Sequence, residues 1–137
     1  MVRAALDTNV LLRLIVPDVP EQHARARRLL ATPSTTFMVA DYVFVELVFV
    51  LERHYGFDRG QIARAATGIM ELGNIECHED LLRAAIEFWQ VHPKLSFEDC
   101  LMAEYAQTQS AVPLWTFDHK LANQHIAAEE VPVLPNG

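Results

Sequence analysis

Cysteine is scarce in this sequence: Cys77 and Cys100 are the only two among 137 residues. They show no metal-like pairing, so neither a disulfide scaffold nor a zinc module is expected. No apolar run reaches the ~18 residues that a membrane helix needs; the longest, Tyr42 to Leu51, is broken by Glu46. No long apolar stretch follows the N-terminal Met, so a signal peptide is not read there. The expectation is a cytoplasmic protein with reduced thiols. The chain also lacks H-E-x-x-H and the glycine-rich phosphate loop ending in Lys-Ser/Thr, which removes two common hydrolase designs. Positive charge is in the minority, with 11 Lys and Arg against 18 Asp and Glu and a net charge of −7. Bulk electrostatics would repel a phosphate backbone. A nucleic-acid enzyme of this charge needs metal ions at its site and a local basic rim. The same charge would attract a basic protein partner.

What is present is enough for one globular domain, 1–137. Hydrophobic residues make up 51% of the chain, which excludes disorder by composition. Short β-like runs alternate with helical patterns. Val2 to Leu6 reads as a strand, Asp7-Thr8-Asn9 as a turn, and Val10 to Val16 as a helix. Pro17 to Pro20 separates this from a helix over Glu21 to Ala31. Thr36 to Val39 reads as a strand. Asp41 to Tyr55 is too long for an ordinary strand and reads as a helix capped by Asp41, apolar on nearly every face and largely buried. Asp58 and Gln61 form a capping box ahead of apolar residues at helical spacing. Asn74 to Cys77 is a strand candidate, and Glu79 to Val91 a helix stopped by Pro93. Ser96 opens a helix running to about Gln109. Then come a strand over Val112 to Phe117, a helix from Asp118 to about His125, and a last strand over Val131 to Leu134. Alternation of this kind implies an α/β fold with a parallel sheet and helices on its faces. Ligands in such folds bind beyond the carboxyl ends of the strands.

Asp7 and Asp118 each follow a strand. Aspartate there is also a favoured helix cap worth about 1 kcal/mol, and one residue can do both. Glu46 stands in an apolar helix, where a carboxylate is costly without a partner; an ion pair with a neighbouring helix is the plain alternative. Asp99 follows Ser96 as the second half of a capping box. It shares a helical face with Met102, Ala103 and Ala106, with Leu101 and Tyr105 adjoining, which puts it on the core side, while Glu98 points to solvent. Two carboxylates at ~4 Å repel by ~4 kcal/mol at an effective dielectric of 20. A cluster of four persists only if protons or cations offset that. Hard divalent cations take oxygen ligands, and their chemistry suits phosphodiester hydrolysis.

At these residues the sequence resembles the PIN-domain ribonucleases. Ala4-Ala5-Leu6-Asp7-Thr8-Asn9-Val10-Leu11-Leu12 resembles the family's opening, an Asp-x-Asn after the first strand. Glu46 matches a Glu in the third helix, and Asp99-Cys100-Leu101-Met102-Ala103 an Asp opening a later helix. Thr116-Phe117-Asp118 matches a Ser/Thr-x-Asp after the fourth strand. Size and compactness resemble the VapC-like toxins of type II toxin–antitoxin modules. The resemblance implies a PIN-like three-layer sandwich with a short, mainly parallel sheet of about four or five strands. It implies an endoribonuclease in which Asp7, Glu46, Asp99 and Asp118 hold Mg2+ or Mn2+. Thr116 would bond a carboxylate or a metal-bound water, and Asn9 would orient Asp7 or close the turn. No general base is separable from a ligand, because interacting carboxylates titrate as a group. It further implies an RNA substrate, a homodimer, and an antitoxin whose tail enters the acidic groove.

RNA would need a positive rim, for which Arg13, Arg25, Arg27, Arg28 and Lys120 are candidates. Phe44, Phe49, Phe88 and Trp89 sit in apolar helical patterns and read as core or dimer contacts. The six histidines (His23, His54, His78, His92, His119, His125) are scattered and expected at the surface. Cys100 reads as a buried structural thiol. The alternative is a non-catalytic or signalling α/β domain with a Mg2+ pocket, such as a phosphoacceptor receiver. A receiver would want adjacent acidic residues after the first strand, whereas Asp7 is followed by Thr8 and Asn9. An Asp-nucleophile phosphatase would want Asp-x-Asp, and position 9 is Asn.

Overall fold

The structure is a computed structural model that describes residues 1–135; the last two positions of the expected domain lie outside the described residues. The chain forms two compact units, Met1–Glu79 and the segment from Asp80 onward.

The first unit runs β1 (Val2–Ala5), α1 (Thr8–Ile15), α2 (Pro20–Leu30), β2 (Thr35–Met38), α3 (Asp41–Arg53), α4 (Arg59–Met70) and β3 (Ile75–Glu76). Its three strands pair in the order β1-β2-β3, all parallel. Two helices join β1 to β2 and two join β2 to β3, the crossover connection that parallel pairing requires. Phe37 on β2 is fully buried, as are Leu11 of α1, Phe44, Leu47 and Leu51 of α3, and Ile62 of α4. The capping box expected at the start of α4 is present: Gln61 N–H donates to Asp58 Oδ1 at 2.8 Å, and Asp58 N–H donates to Gln61 Oε1 at 2.9 Å.

The second unit contains α5 (Glu79–Gln90), which starts at the boundary, then α6 (Phe97–Thr108), β4 (Leu114–Thr116), α7 (His119–Gln124) and β5 (Ala128–Glu130). β4 and β5 pair in parallel, Leu114 opposite Ala128 and Thr116 opposite Glu130. Trp89 is buried and meets Phe97 edge-on with ring centroids 5.8 Å apart. The architecture is therefore α/β, with parallel pairing within each of two ladders that hold three and two strands.

Several local expectations are corrected. The last strand is Ala128–Glu130, not Val131 to Leu134. Val131 N–H still donates to Thr116 O at 2.9 Å, but Pro132 has no N–H to continue the ladder, and Val133 is 96% exposed. Helix α1 begins at Thr8, so Asn9 lies in its first turn. Asp41 does not cap α3: Ala40 is the N-cap residue and makes no side-chain bond, while the Asp41 carboxylate lies 3.0 Å from His78 Nδ1. Helix α3 is not buried on every face. Tyr42 and Phe49 are exposed, and the Arg53 guanidinium sits 5.4 Å from the Phe49 ring centroid, a cation–π contact that favours exposure of that ring. Met102 and Tyr105 of α6 are also exposed, whereas Ala103 and Ala106 are buried.

The surface reading of the histidines fails most clearly at His125, with 3% exposure, and His23 and His92 are half-buried. The His125 Nδ1 accepts from Ala127 N–H at 3.0 Å, so the hydrogen sits on Nε2, 3.1 Å from Glu104 Oε1. That pair ties the start of the β5 segment to α6.

Replacing Asp58 by Ala removes the side-chain half of the α4 capping box, the carboxylate that accepts from Gln61 N–H, and leaves the backbone N–H that donates to Gln61. The variant should lose about 1 kcal/mol of stability, read as a lower urea midpoint with an unchanged slope; an unchanged midpoint would show that the carboxylate cap contributes nothing.

Candidate functional site

Strand β1 ends at Ala5, and Asp7 follows as the N-cap of α1 with extended backbone (φ −90°, ψ 174°). Its Oδ1 accepts from Val10 N–H at 3.2 Å. The capping reading and the functional reading both survive, because one oxygen satisfies the helix and the other has no partner among the described residues. Thr8, next in sequence, donates its hydroxyl to Glu46 Oε1 at 2.8 Å. The start of α1 is thereby bonded to the middle of α3, and Glu46 is brought to the turn that carries Asp7. Asn9 is exposed, and its side chain makes no hydrogen bond to Asp7 among the described residues.

In the second unit the same construction recurs. Strand β4 ends at Thr116, and Asp118 is the N-cap of α7. Asp118 Oδ1 accepts from Lys120 N–H at 2.9 Å and from Leu121 N–H at 3.1 Å. Thr116 Oγ1 accepts from Asp118 N–H at 2.9 Å, which fixes the turn between them. Asp99 lies in the first turn of α6, where its N–H donates to Ser96 Oγ at 3.1 Å, and its carboxylate has no partner among the described residues. Cys100 beside it is fully buried.

The distribution of charge partners is informative. Four carboxylates are half-buried among the described residues: Asp41, Glu46, Asp99 and Glu104. Asp41 faces His78 and Glu104 faces His125, at 3.0 and 3.1 Å. Glu46 and Asp99 meet no basic side chain. The salt bridge that was the plain alternative for Glu46 is absent among the described residues, and a hydroxyl stands in its place. Burial raises the cost of an unpaired carboxylate, so these two positions suit a cation from outside the chain. Among the described residues, however, no group of three or more His, Cys, Asp or Glu side chains is gathered closely enough to hold a metal ion.

Sequence reasoning missed Thr8, although a hydroxyl flanked by Asp7 and Asn9 at the end of a strand was legible as a second-row donor. It also missed the commitment of Arg13. That guanidinium donates from Nε to Gln22 at 2.8 Å and from Nη1 to Asp18 at 3.0 Å and to the Tyr55 hydroxyl at 3.4 Å. Among the described residues Arg25 pairs only with Glu21, at 3.4 Å on an exposed helix surface, and Arg27, Arg28 and Lys120 are exposed. Among the concave regions of the first unit, one is lined by Asp7, Asn9, Arg13, Gln22, Arg25 and apolar neighbours. Another lies at the carboxyl ends of the strands, lined among others by Met38, Asp41, Glu76 and His78.

The PIN-domain family model matches residues 4–125. The chain belongs to the PIN-domain family, and so to a class of nucleases; the receiver-like alternative is not favoured. No curated protein matches the chain. Among solved structures it is similar to VapC20 of Mycobacterium tuberculosis, a toxin that cleaves the sarcin-ricin loop. Identity is 19%, over 93% of this chain and 98% of that chain, with a TM-score of 0.43. It is also similar to VapBC2 of Rickettsia felis, determined bound to a DNA fragment from its promoter. There identity is 15%, over 96% of this chain and 98% of that chain, with a TM-score of 0.37. Among the described residues no helix is long and apolar enough to cross a membrane.

Replacing Thr8 by Val should leave Glu46 half-buried without its donor and cost about 1–2 kcal/mol. Thr8→Ser should keep the hydroxyl and most of that stability. Thermal melts of the two variants beside the wild type decide it: equal losses in both would mean that the methyl group, not the hydrogen bond, matters.

Proposed function

We propose that the protein is a Mg2+-dependent endoribonuclease, also served by Mn2+, and the toxin component of a type II toxin–antitoxin module. The observation that carries this reading is the pair of half-buried carboxylates, Glu46 and Asp99, that face no base while their half-buried counterparts do. Family membership supports it.

The donor chemistry fits a hard divalent ion. Asp7 and Asp118 are each anchored through Oδ1 to backbone N–H groups, and Glu46 through Oε1 to Thr8. Each keeps its second oxygen for a ligand, and the anchor limits the rotamers that must be frozen on binding. Oxygen ligands of this kind, few in number and supplemented by water, are what Mg2+ takes. Asp7, Glu46, Asp99 and Asp118 would together hold the ion; their convergence around it is part of the proposal. When bound, the ion makes a water easier to deprotonate and offsets charge on the phosphate under attack. The chain's own residues do the rest. Asp7 and Asp118 position their free oxygens from helix caps. Thr116, whose oxygen already accepts from Asp118 N–H, has its hydroxyl hydrogen left to donate to a carboxylate or a water. Asn9 stands two residues after Asp7, and its amide, with no partner among the described residues, is available to the substrate.

The partners follow the same reading: RNA as substrate, a second copy of the chain as a homodimer, and a basic antitoxin segment drawn to an acidic protein of net charge −7. A cytoplasmic location accords with two cysteines that form no disulfide among the described residues.

Cleavage of a panel of transfer, ribosomal and messenger RNA fragments should require Mg2+ or Mn2+ and stop with EDTA. Asp7→Asn should abolish it. Asparagine caps a helix about as well as aspartate, so the melting temperature of that variant should stay level or rise as charge is removed. Full cleavage by Asp7→Asn, or by the metal-free wild type, would overturn the reading.

A further inference from the structure

The groove between α1 and α2 contains groups that the acidic chemistry does not use. Its volume is ≈ 370 Å³, and Asp7 and Asn9 are among its lining residues. The size is at the small end for a ligand cleft, which runs from about 300 to 1,000 Å³, and matches one nucleotide better than a duplex or a peptide. Its lining carries one carboxylate, Asp7, and two guanidinium groups, Arg13 and Arg25. The groove thus presents two guanidinium groups in a chain of net charge −7. Asp18 and Glu21, the present partners of the two arginines, do not line it.

The two arginines differ in a useful way. Arg13 is locked by Gln22, Asp18 and the Tyr55 hydroxyl, and Tyr55 is itself held by donating to Asp18 Oδ2 at 2.8 Å. It is a preorganised donor wall, with Nη2 unused among the described residues. Arg25 has a side chain 73% exposed and only a 3.4 Å contact to Glu21. Such surface pairs contribute little, so Arg25 can turn toward a phosphate at small cost. Guanidinium groups match phosphate oxygens bidentately. Gln22 uses its carbonyl oxygen on Arg13, which leaves its NH2 group as a donor, and Asn9 has a whole amide free. These suit the hydrogen-bonding edge of an unpaired base. Val10, Ala26 and Leu29 supply apolar surface for a base face or a ribose.

We propose that this groove binds a single unpaired nucleotide of the RNA strand, the one next to the phosphodiester held at Asp7; its place beside the bond cut rests on the nuclease reading. Arg25 and Arg13 grip its phosphate, Asn9 and Gln22 read its base edge, and Leu29 covers its flat face. The groove is thus where base preference at one position is set.

The test is a titration of the full chain, without metal, by ribonucleoside 5′-monophosphates, followed by NMR. The side-chain amides of Asn9 and Gln22 and the Leu29 methyls should shift and saturate. Inorganic phosphate alone should move the arginine signals and not Leu29. Arg25→Glu, and separately Leu29→Asp at a position 41% exposed, should each weaken nucleotide binding about tenfold. In RNA cleavage each should raise KM about tenfold with little change in kcat. No saturable shift at these groups, the same shifts and affinity with inorganic phosphate, or unaltered nucleotide affinity in both variants would overturn the proposal. Nucleotide binding at the groove in a protein that cleaves no RNA with Mg2+ would sink the nuclease reading and uphold the groove.

Discussion

Glu46 sits half-buried on α3, and what holds it there is a hydroxyl rather than a cation. The Thr8 bond at 2.8 Å satisfies one oxygen and leaves the charge uncompensated. An ion pair would be the ordinary solution to a carboxylate in an apolar helix, and the fold uses it for Asp41 and Glu104. It does not use it for Glu46 or Asp99. A hydrogen bond from a hydroxyl orients a carboxylate without neutralising it, which is the condition a metal ligand must meet. The same bond couples α1 to α3 at the residue after Asp7, so packing of the first unit and placement of its acids are one problem. The functional reading depends on that coupling.

A second regularity is the strand-to-helix turn. β1 gives way to Asp7 and β4 to Asp118, and in both the aspartate caps the next helix through one oxygen. Parallel strands place such turns at their carboxyl ends, and the cap restrains a side chain that would otherwise be mobile. Structural and chemical roles share one residue with no conflict, because a carboxylate has two oxygens.

Much of this was legible in the sequence. The alternation of short strands and helices, the Asp58 capping box, Ser96 ahead of α6, and buried Phe44, Trp89 and Cys100 followed from spacing and side-chain type. The misses have physical causes. Ala128-Glu129-Glu130 has little intrinsic strand preference and is a strand because β4 offers it an edge; Val131 and Val133 look better and are disqualified by the proline between them. Asp41 looked like a cap and instead faces His78, a contact between residues far apart in the chain. His125 looked like a surface residue because nothing local signals that Glu104 and Ala127 N–H satisfy both ring nitrogens. The four acids were singled out by type and position. Their partners, or lack of them, could only be seen in three dimensions, and that is the part on which the function turns.

The central proposal is that Asp7, which caps α1 with one carboxylate oxygen, and Glu46, held by Thr8, give their other oxygens to a divalent ion. The direct measurement is an anomalous difference map from crystals of the protein grown with Mn2+. The account predicts a peak about 2.1 Å from the free carboxylate oxygens of Asp7 and Glu46. A fully occupied Mn2+ elsewhere, for instance against Asp41 and His78, with these oxygens bare would contradict it.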